Sequence, residues 1–329
     1  MEKLVAILMT LCFFIVPLNG YGEEIKVMMP WYPSADYIPY VVALEKGFYK
    51  KYGLDVTIVP GGIGGTPEVI RMVTAGQVQF GSTGASHTMA AIEKGANVIV
   101  VMSLFEKATQ GIYYKKSRVR VPSDLAGKNI LMAPKTTRAI TAKLFMLKNG
   151  LDGKMGEVVS NNLGRNVEID LFLTGKIDAL PSALLETKAL FQEVLGDDMG
   201  FFHAGDHGVN IISIVLITNP DLIAKNPTLV QKFVSATREG YYYSFKHVDE
   251  SVGFMEKRYP ETIPMKYRIS WPEAERYARE RKSDPIGLTN LKNWEGMKEE
   301  LISIKFINGT VDPKKCFTNR FIKNDFRGK

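Results

Sequence analysis

Short β-rich runs alternate with helical stretches from residue 25, and the alternation begins again at residue 129. Ile25–Met29 reads as a strand, and Tyr40–Tyr52 as one helix with Val41, Leu44 and Phe48 on a common face. Val56–Val59, Val78–Gly81 and Val98–Phe105 are strand-like. Between them lie helices over Pro67–Ala75, opened by Thr66 as N-cap, and Ser86–Lys94. Strands separated by helices of this length imply βαβ units and a parallel sheet covered on both faces. After Ile112–Tyr114 comes the turn-rich stretch Val121–Gly127, and then the second series. It runs through a strand at Ile130–Ala133, a helix at Arg138–Asn149 closed by Gly150, and a helix from Asp170 to near Gly175. A strand at Asp178–Pro181 and a helix at Leu184–Leu195 complete it. The apolar run Ile211–Thr218 would carry the chain back to the first series. Beyond Pro220 only helices are expected, over Pro227–Phe245, Asp249–Tyr259, Pro272–Arg281 and Leu291–Ile304. The pattern describes two α/β lobes: residues 23–113 with 216–329, including a helical C-terminal tail, and residues 114–215.

The first residues point to export. Lys3 precedes an apolar run from Leu4 to Leu18, and Asn19-Gly20-Tyr21-Gly22 leads into Glu23-Glu24. A basic start, a short apolar core and small residues before a polar beginning describe a cleavable signal peptide over residues 1–22. The alternative is an uncleaved anchor, although the run is short for a membrane span. Leu11 before Cys12 argues against lipidation, since the acceptor cysteine follows a small residue. Past the leader only Cys316 remains, so the exported chain holds no internal disulfide. A chain of 329 residues buries enough core to do without one.

The composition excludes some partners and leaves little room for catalysis. The net charge of +7 is scattered, and the densest basic stretch, Lys115–Arg120, has no aromatic platform beside it. Nucleic acid is therefore not an expected partner. Gly61-Gly62-Ile63-Gly64-Gly65-Thr66 lacks both the GK[ST] ending of a phosphate-binding P-loop and the spacing of a dinucleotide turn. Gly81-Ser82-Thr83-Gly84 is not a nucleophile elbow. Of the four histidines only His203 and His207 have ligand-like spacing, and they lie in a loop-like stretch. No metal, cofactor or catalytic group is assigned.

Four loops, by contrast, each follow a predicted strand, where open α/β sheets bind ligands. The first is Pro30–Tyr37, with Trp31, Tyr32, Asp36 and Tyr37; the second is Gly61–Thr66, with Gly61, Gly62 and Gly64. The third, Ser82–His87, opens a helix and offers Ser82, Thr83, Gly84, Ser86 and His87; the fourth is Lys135-Thr136-Thr137. Hydroxyls and free amides at a helix start suit an anion, whereas the adjacent aromatics suit a flat ring. Each loop also has a plainer reading: aromatic packing, an ordinary turn, a cap by Ser86, a solvated lysine.

A wider pattern joins these stretches. Trp31-Tyr32-Pro33, Val42–Val56, Val73–Gly81 and Ser123–Lys128 occur in that order, and Leu173–Ala179 repeats the motif around Ala75. Together they resemble the ABC-transporter substrate-binding proteins that serve nitrate, aliphatic sulfonates, taurine and the thiamine pyrimidine precursor. The aromatic loop is similar to that of the pyrimidine-precursor branch, with Pro30 where an aspartate usually stands. The resemblance implies a periplasmic binding protein-like (type II) fold. Two crossovers, near Ile112–Lys116 and Ile211–Ile217, would join two lobes that close by hinge motion on a small molecule. It also implies an extracytoplasmic monomer that delivers its ligand to an ABC permease and carries no cofactor. Related yeast enzymes that build the pyrimidine from their own side chains carry a cysteine-rich motif absent here. A receptor for a signalling partner and an exported enzyme on the same fold are the competing classes.

Overall fold

The computed structural model describes residues 22–62, 64–134, 136–160, 165–260 and 264–322. The leader through residue 21 and the candidate Lys135 lie outside them. The chain opens with β1 (Glu23–Met28), α1 (Ile38–Glu45), α2 (Phe48–Lys51) and β2 (Leu54–Val59). One helix was expected over Tyr40–Tyr52, but Gly47 breaks it at φ +72°, a left-handed conformation that glycine alone adopts without strain. Then come α3 (Gly65–Thr74), β3 (Phe80–Gly84), α4 (Ala85–Glu93) and β4 (Ile99–Phe105). Gly64 stands at the N-cap of α3, and Thr66 is instead the second residue of the helix.

The middle of the chain holds β5 (Gln110–Lys115), β6 (Asn129–Met132), α5 (Thr137–Lys148), β7 (Gly156–Val159) and α6 (Arg165–Leu173). It continues with β8 (Leu180–Ala183), α7 (Leu184–Leu195), β9 (Met199–His203) and β10 (Ile214–Thr218). The C-terminal region is α8 (Pro220–Lys225), α9 (Pro227–Lys246), α10 (Val248–Arg258), α11 (Pro264–Ala278) and α12 (Leu291–Ser303). The expectation that Pro272 opens a helix placed that start too late. Pro272 lies inside α11 on an exposed position, where its missing N–H costs one helical hydrogen bond.

The first sheet has the order β2-β1-β3-β10-β4. Strands β1, β2 and β3 run parallel, as βαβ units require, whereas the returning β10 runs antiparallel to both β3 and β4. A second group, β8-β5-β9, is antiparallel. The parallel pair β6-β7 joins β8 through a bridge between Ile130 and Ala179. The chain leaves the first sheet after Phe105 and enters the second at Gln110; it comes back between His203 and Ile214.

Aromatic packing fills both units. Phe80 of β3 stacks on Phe233 of α9 with centroids 4.0 Å apart, and Tyr113 of β5 lies 4.6 Å from Phe191 and 4.5 Å from Phe201. Gly240 lets α9 settle onto α1, since a Cβ there would meet the Pro39 carbonyl. The tail packs onto the first unit through Trp271, whose ring stands edge to face with Phe105 of β4 at 6.3 Å, while its indole N–H donates to the Ser244 carbonyl of α9 at 3.2 Å. It also reaches the second unit. Ser270 donates to the Leu185 carbonyl of α7 at 2.8 Å, and Lys148 of α5 pairs with Glu300 of α12 at 3.1 Å.

Candidate ligand-binding site

Because β1, β2 and β3 are parallel, their carboxyl ends share one edge of the sheet, and three of the four candidate loops meet there. Tyr37 is buried and fastens two of them. Its O–H donates to the Trp31 carbonyl, and the Gly61 N–H donates to the Tyr37 oxygen at 3.3 Å and to the Trp31 carbonyl at 3.1 Å. Gly61 is required here, because a Cβ would meet the Met29–Trp31 backbone. Gly62 is under no such demand: its Cβ would only touch the Tyr32 hydroxyl at 3.9 Å. Gly64 is exposed at the start of α3. With the backbone so held, Trp31 and Tyr32 project outward, 45% and 52% exposed, their rings edge to face at 5.3 Å. Two large aromatics left open side by side have not been recruited to the core.

The third stretch differs from the expected loop. Ser82, Thr83 and Gly84 belong to β3, are buried, and lead straight into α4 with no loop between. The Thr83 and Thr88 hydroxyls pair at 2.8 Å, and Thr88 donates to the Gly84 carbonyl at 3.0 Å. Ser82 is buried with its hydroxyl beside that of Tyr40. Two amides expected to be open are already engaged: Gly84 N–H donates to the Thr66 hydroxyl at 3.3 Å and Ala85 N–H to the Ser213 carbonyl at 3.0 Å. Ser86 is buried against the Met297 sulfur at 4.0 Å. His87 sets its ring edge to face with Phe306 at 5.4 Å.

The second unit approaches at this point. Thr137 brings its hydroxyl within 3.5 Å of His87 Nδ1, and a Cβ on Gly84 would come within 2.8 Å of the same oxygen. Thr136 caps α5, accepting from the Ala139 N–H at 3.2 Å. Arg138 next to it is bound in two places to Glu168, at 2.8 and 3.3 Å, and Ser160 donates to the same carboxylate at 2.9 Å. That guanidinium is therefore committed within the protein.

Helix α7 was expected from the sequence, but none of its residues was among the site candidates. The start of α7 matches that of α4: Ser182 pairs with Thr187 at 3.0 Å, and Thr187 donates to the Ala183 carbonyl at 3.0 Å. The N-cap residues Gly84 and Ala183 share nearly one extended conformation, at φ/ψ of −72°/130° and −80°/132°. The signal lay in the repeat itself. Aligning Gly76 with Gly175 and reading on pairs Thr83 with Ser182, Thr88 with Thr187, and His87 with Glu186. Glu186 acts across the gap on Asp36. Burial, and then the Glu186 charge, push the half-buried Asp36 carboxyl up to about 7. The candidate site thus offers the exposed Trp31 and Tyr32, the Asp36 carboxyl pushed up to about 7, and the Thr137 hydroxyl beside His87.

Among the described residues, no three His, Cys, Asp or Glu side chains are grouped to hold a metal, and no helix is long and apolar enough to cross a membrane. Several known proteins share this architecture. The aliphatic sulphonate binding protein SsuA of Escherichia coli, a periplasmic protein, superposes with a TM-score of 0.72 at 14% identity, over 89% of this chain and 91% of that one. It supports the periplasmic binding protein fold. A 4-amino-5-hydroxymethyl-2-methylpyrimidine phosphate synthase of Legionella pneumophila is 25% identical over 93% of this chain and 94% of its own. A formylaminopyrimidine-binding protein of Halalkalibacterium halodurans is 23% identical over 71% of this chain and 70% of its own. The NMT1/THI5-like family model matches residues 34–251. With two thirds of its length matched, the chain belongs to the NMT1/THI5-like family.

Proposed function

We propose that the chain is an exported, monomeric solute-binding protein that closes on a flat, amino-substituted heteroaromatic molecule and hands it to an ABC permease. The observation that supports this reading is the pair of matching helix starts, α4 and α7, each of which meets the other unit: His87 lies against Thr137, and Glu186 acts on Asp36. Lobe boundaries at the two changes of sheet, 106–109 and 204–213, in place of the 113/114 and 215/216 expected from the sequence, would make the gap a hinged cleft. Trp31 and Tyr32 would cover a ring face. A carboxyl at its midpoint can both donate and accept, which matches the amine and ring nitrogen on one edge of an aminopyrimidine. Thr137 would supply a hydroxyl and Lys135 a charge for an anionic substituent, while the engaged Thr83 and Thr136 and the buried Ser82 would hold the walls in place.

The family holds both receptors and synthases, and the chemistry of this chain favours the receptor. Its cysteine beyond the leader, Cys316, is fully buried with its thiol pushed up to about 12 by burial. A thiol held neutral in this way is no nucleophile. A thermal-shift screen with formylaminopyrimidine, riboflavin, an alkanesulfonate and nitrate tests the proposal. A ligand at a hundred times its Kd stabilises a folded protein by about 2.7 kcal/mol. Stabilisation by the aminopyrimidine is expected. Stabilisation by the alkanesulfonate or nitrate alone, or turnover of a substrate, would sink it.

A further inference from the structure

The two passages between the sheets meet at a buried pair of hydroxyls. Thr109 is the last residue before β5 enters the second sheet, and Ser213 is the last before β10 re-enters the first. Their hydroxyl oxygens lie 3.0 Å apart. Ser213 donates its own proton to Gln110 Oε1 at 3.3 Å, so the proton between Ser213 and Thr109 is the threonine's. Neither side chain is open to a ligand: Thr109 is 2% exposed and Ser213 0%.

The same two residues hold the two helix starts. The Ala85 N–H, first of α4, donates to the Ser213 carbonyl at 3.0 Å, and the Leu184 N–H, first of α7, donates to the Thr109 carbonyl at 2.9 Å. Helix α4 thus begins against the head of β10, and α7 against the head of β5. A short path joins the first turns that carry His87 and Glu186: α4, Ser213, Thr109, α7. Its outer links are main-chain hydrogen bonds, and its middle link is the hydroxyl pair. The passages are also joined one residue earlier, where His203 Nε2 donates to the Ala108 carbonyl at 2.7 Å. That contact ties the end of β9 to the first passage rather than one helix start to the other.

Resting on the reading of the chain as a two-lobed receptor, we infer that Thr109 and Ser213 are positioning residues for its cleft: their hydroxyl contact is the pivot that sets the separation of the α4 and α7 starts. In a hinge motion the residues on the axis move least, and a small change there grows with distance along each lobe. A hydroxyl pair suits that place, because its proton can turn while the two oxygens keep their separation. Losing one partner leaves the other buried with an unmade bond, so the passages must shift to relieve it. Ser213 is the more sensitive of the two, since its loss strips a partner from both Thr109 and Gln110.

The test places spin labels on the full chain at Lys50→Cys in α2 and Lys143→Cys in α5, exposed positions in different units; the native Cys316 is buried. Double electron–electron resonance reads the distance between them without ligand, and calorimetry reads the affinity for formylaminopyrimidine. Thr109→Val keeps the shape and removes one hydroxyl, Ser213→Ala removes the other, and Thr109→Ser keeps both. The label distance should broaden or lengthen in Thr109→Val, more so in Ser213→Ala, and return to that of the unsubstituted chain in Thr109→Ser. Affinity should fall about fivefold in Thr109→Val and about tenfold in Ser213→Ala. Adding Thr109→Val to Ser213→Ala should cost nothing further, because the contact is already gone. Unchanged distances in both single variants, or equal changes in Thr109→Ser and Thr109→Val, would overturn the pivot. Because the distances need no ligand, a full chain that fails to bind formylaminopyrimidine counts against the receptor reading alone.

Discussion

The helices α4 and α7 begin with the same backbone and offer opposite chemistry. Each follows a strand directly, each has an extended N-cap residue, and each locks its first turn with a hydroxyl pair five residues apart. Yet α4 presents His87, already in contact with Thr137 and Phe306, while α7 presents Glu186, which acts on Asp36. The shared part fixes position, and the part that differs sets what can be held. Duplicated geometry with unlike side chains would let a cleft present an imidazole from one wall and a carboxylate from the other to one molecule.

The largest effect expected from breaking this comparison is on affinity. Trp31→Ala combined with Glu186→Gln should weaken an aminopyrimidine about a hundredfold in a calorimetric titration, as loss of an aromatic anchor and a charged hydrogen bond would. His87→Gln should cost much less, because that ring is held by protein contacts. Next in size is Gly61→Ala, expected to destabilise by about 1–3 kcal/mol in urea unfolding, since a methyl group would overlap the Met29–Trp31 backbone. Gly62→Ala serves as its neutral control.

The hydroxyl pairs should behave alike despite the different chemistry around them. Thr88→Val and Thr187→Val are each expected to cost about 1 kcal/mol, seen as similar shifts of the urea midpoint. Unequal losses would show that the two helix starts are not equivalent supports. The smallest effect is that of pH. The Asp36 carboxyl, pushed from 3.8 up to about 7, stays protonated in the folded chain at pH values where the unfolded chain ionises it. Folding therefore loses stability as pH rises from about 4 to about 7, by an amount on the order of 1 kcal/mol after allowing for solvent screening. Asp36→Asn should flatten that part of a melting-temperature profile relative to the unmodified chain.

Much of this architecture is legible in the sequence, and the parts that are not have identifiable causes. Helix α7 was read at its observed bounds, Leu184–Leu195, because its apolar residues recur at helical spacing between two clear breaks. Strand β7 escaped notice because Gly156–Val159 is an edge strand, largely exposed and paired only with β6. Strand β9 hid behind Gly200, which is needed for room beside the Tyr114 ring. At the site, the strand–loop rule located the aromatic and glycine loops, but it read Ser82–Gly84 as loop because buried hydroxyls do not look like strand interior. Glu186 and its relation to Asp36 depend on how two sheets face one another, which local spacing does not encode. Only the internal repeat hinted at it.

The most direct test of the cleft is a calorimetric titration of the full chain with formylaminopyrimidine, run beside Glu186→Gln. Saturable binding at one site, weakened about tenfold or more in the variant, is the predicted result. Binding that is absent, or unchanged when Glu186 loses its charge, would contradict the account.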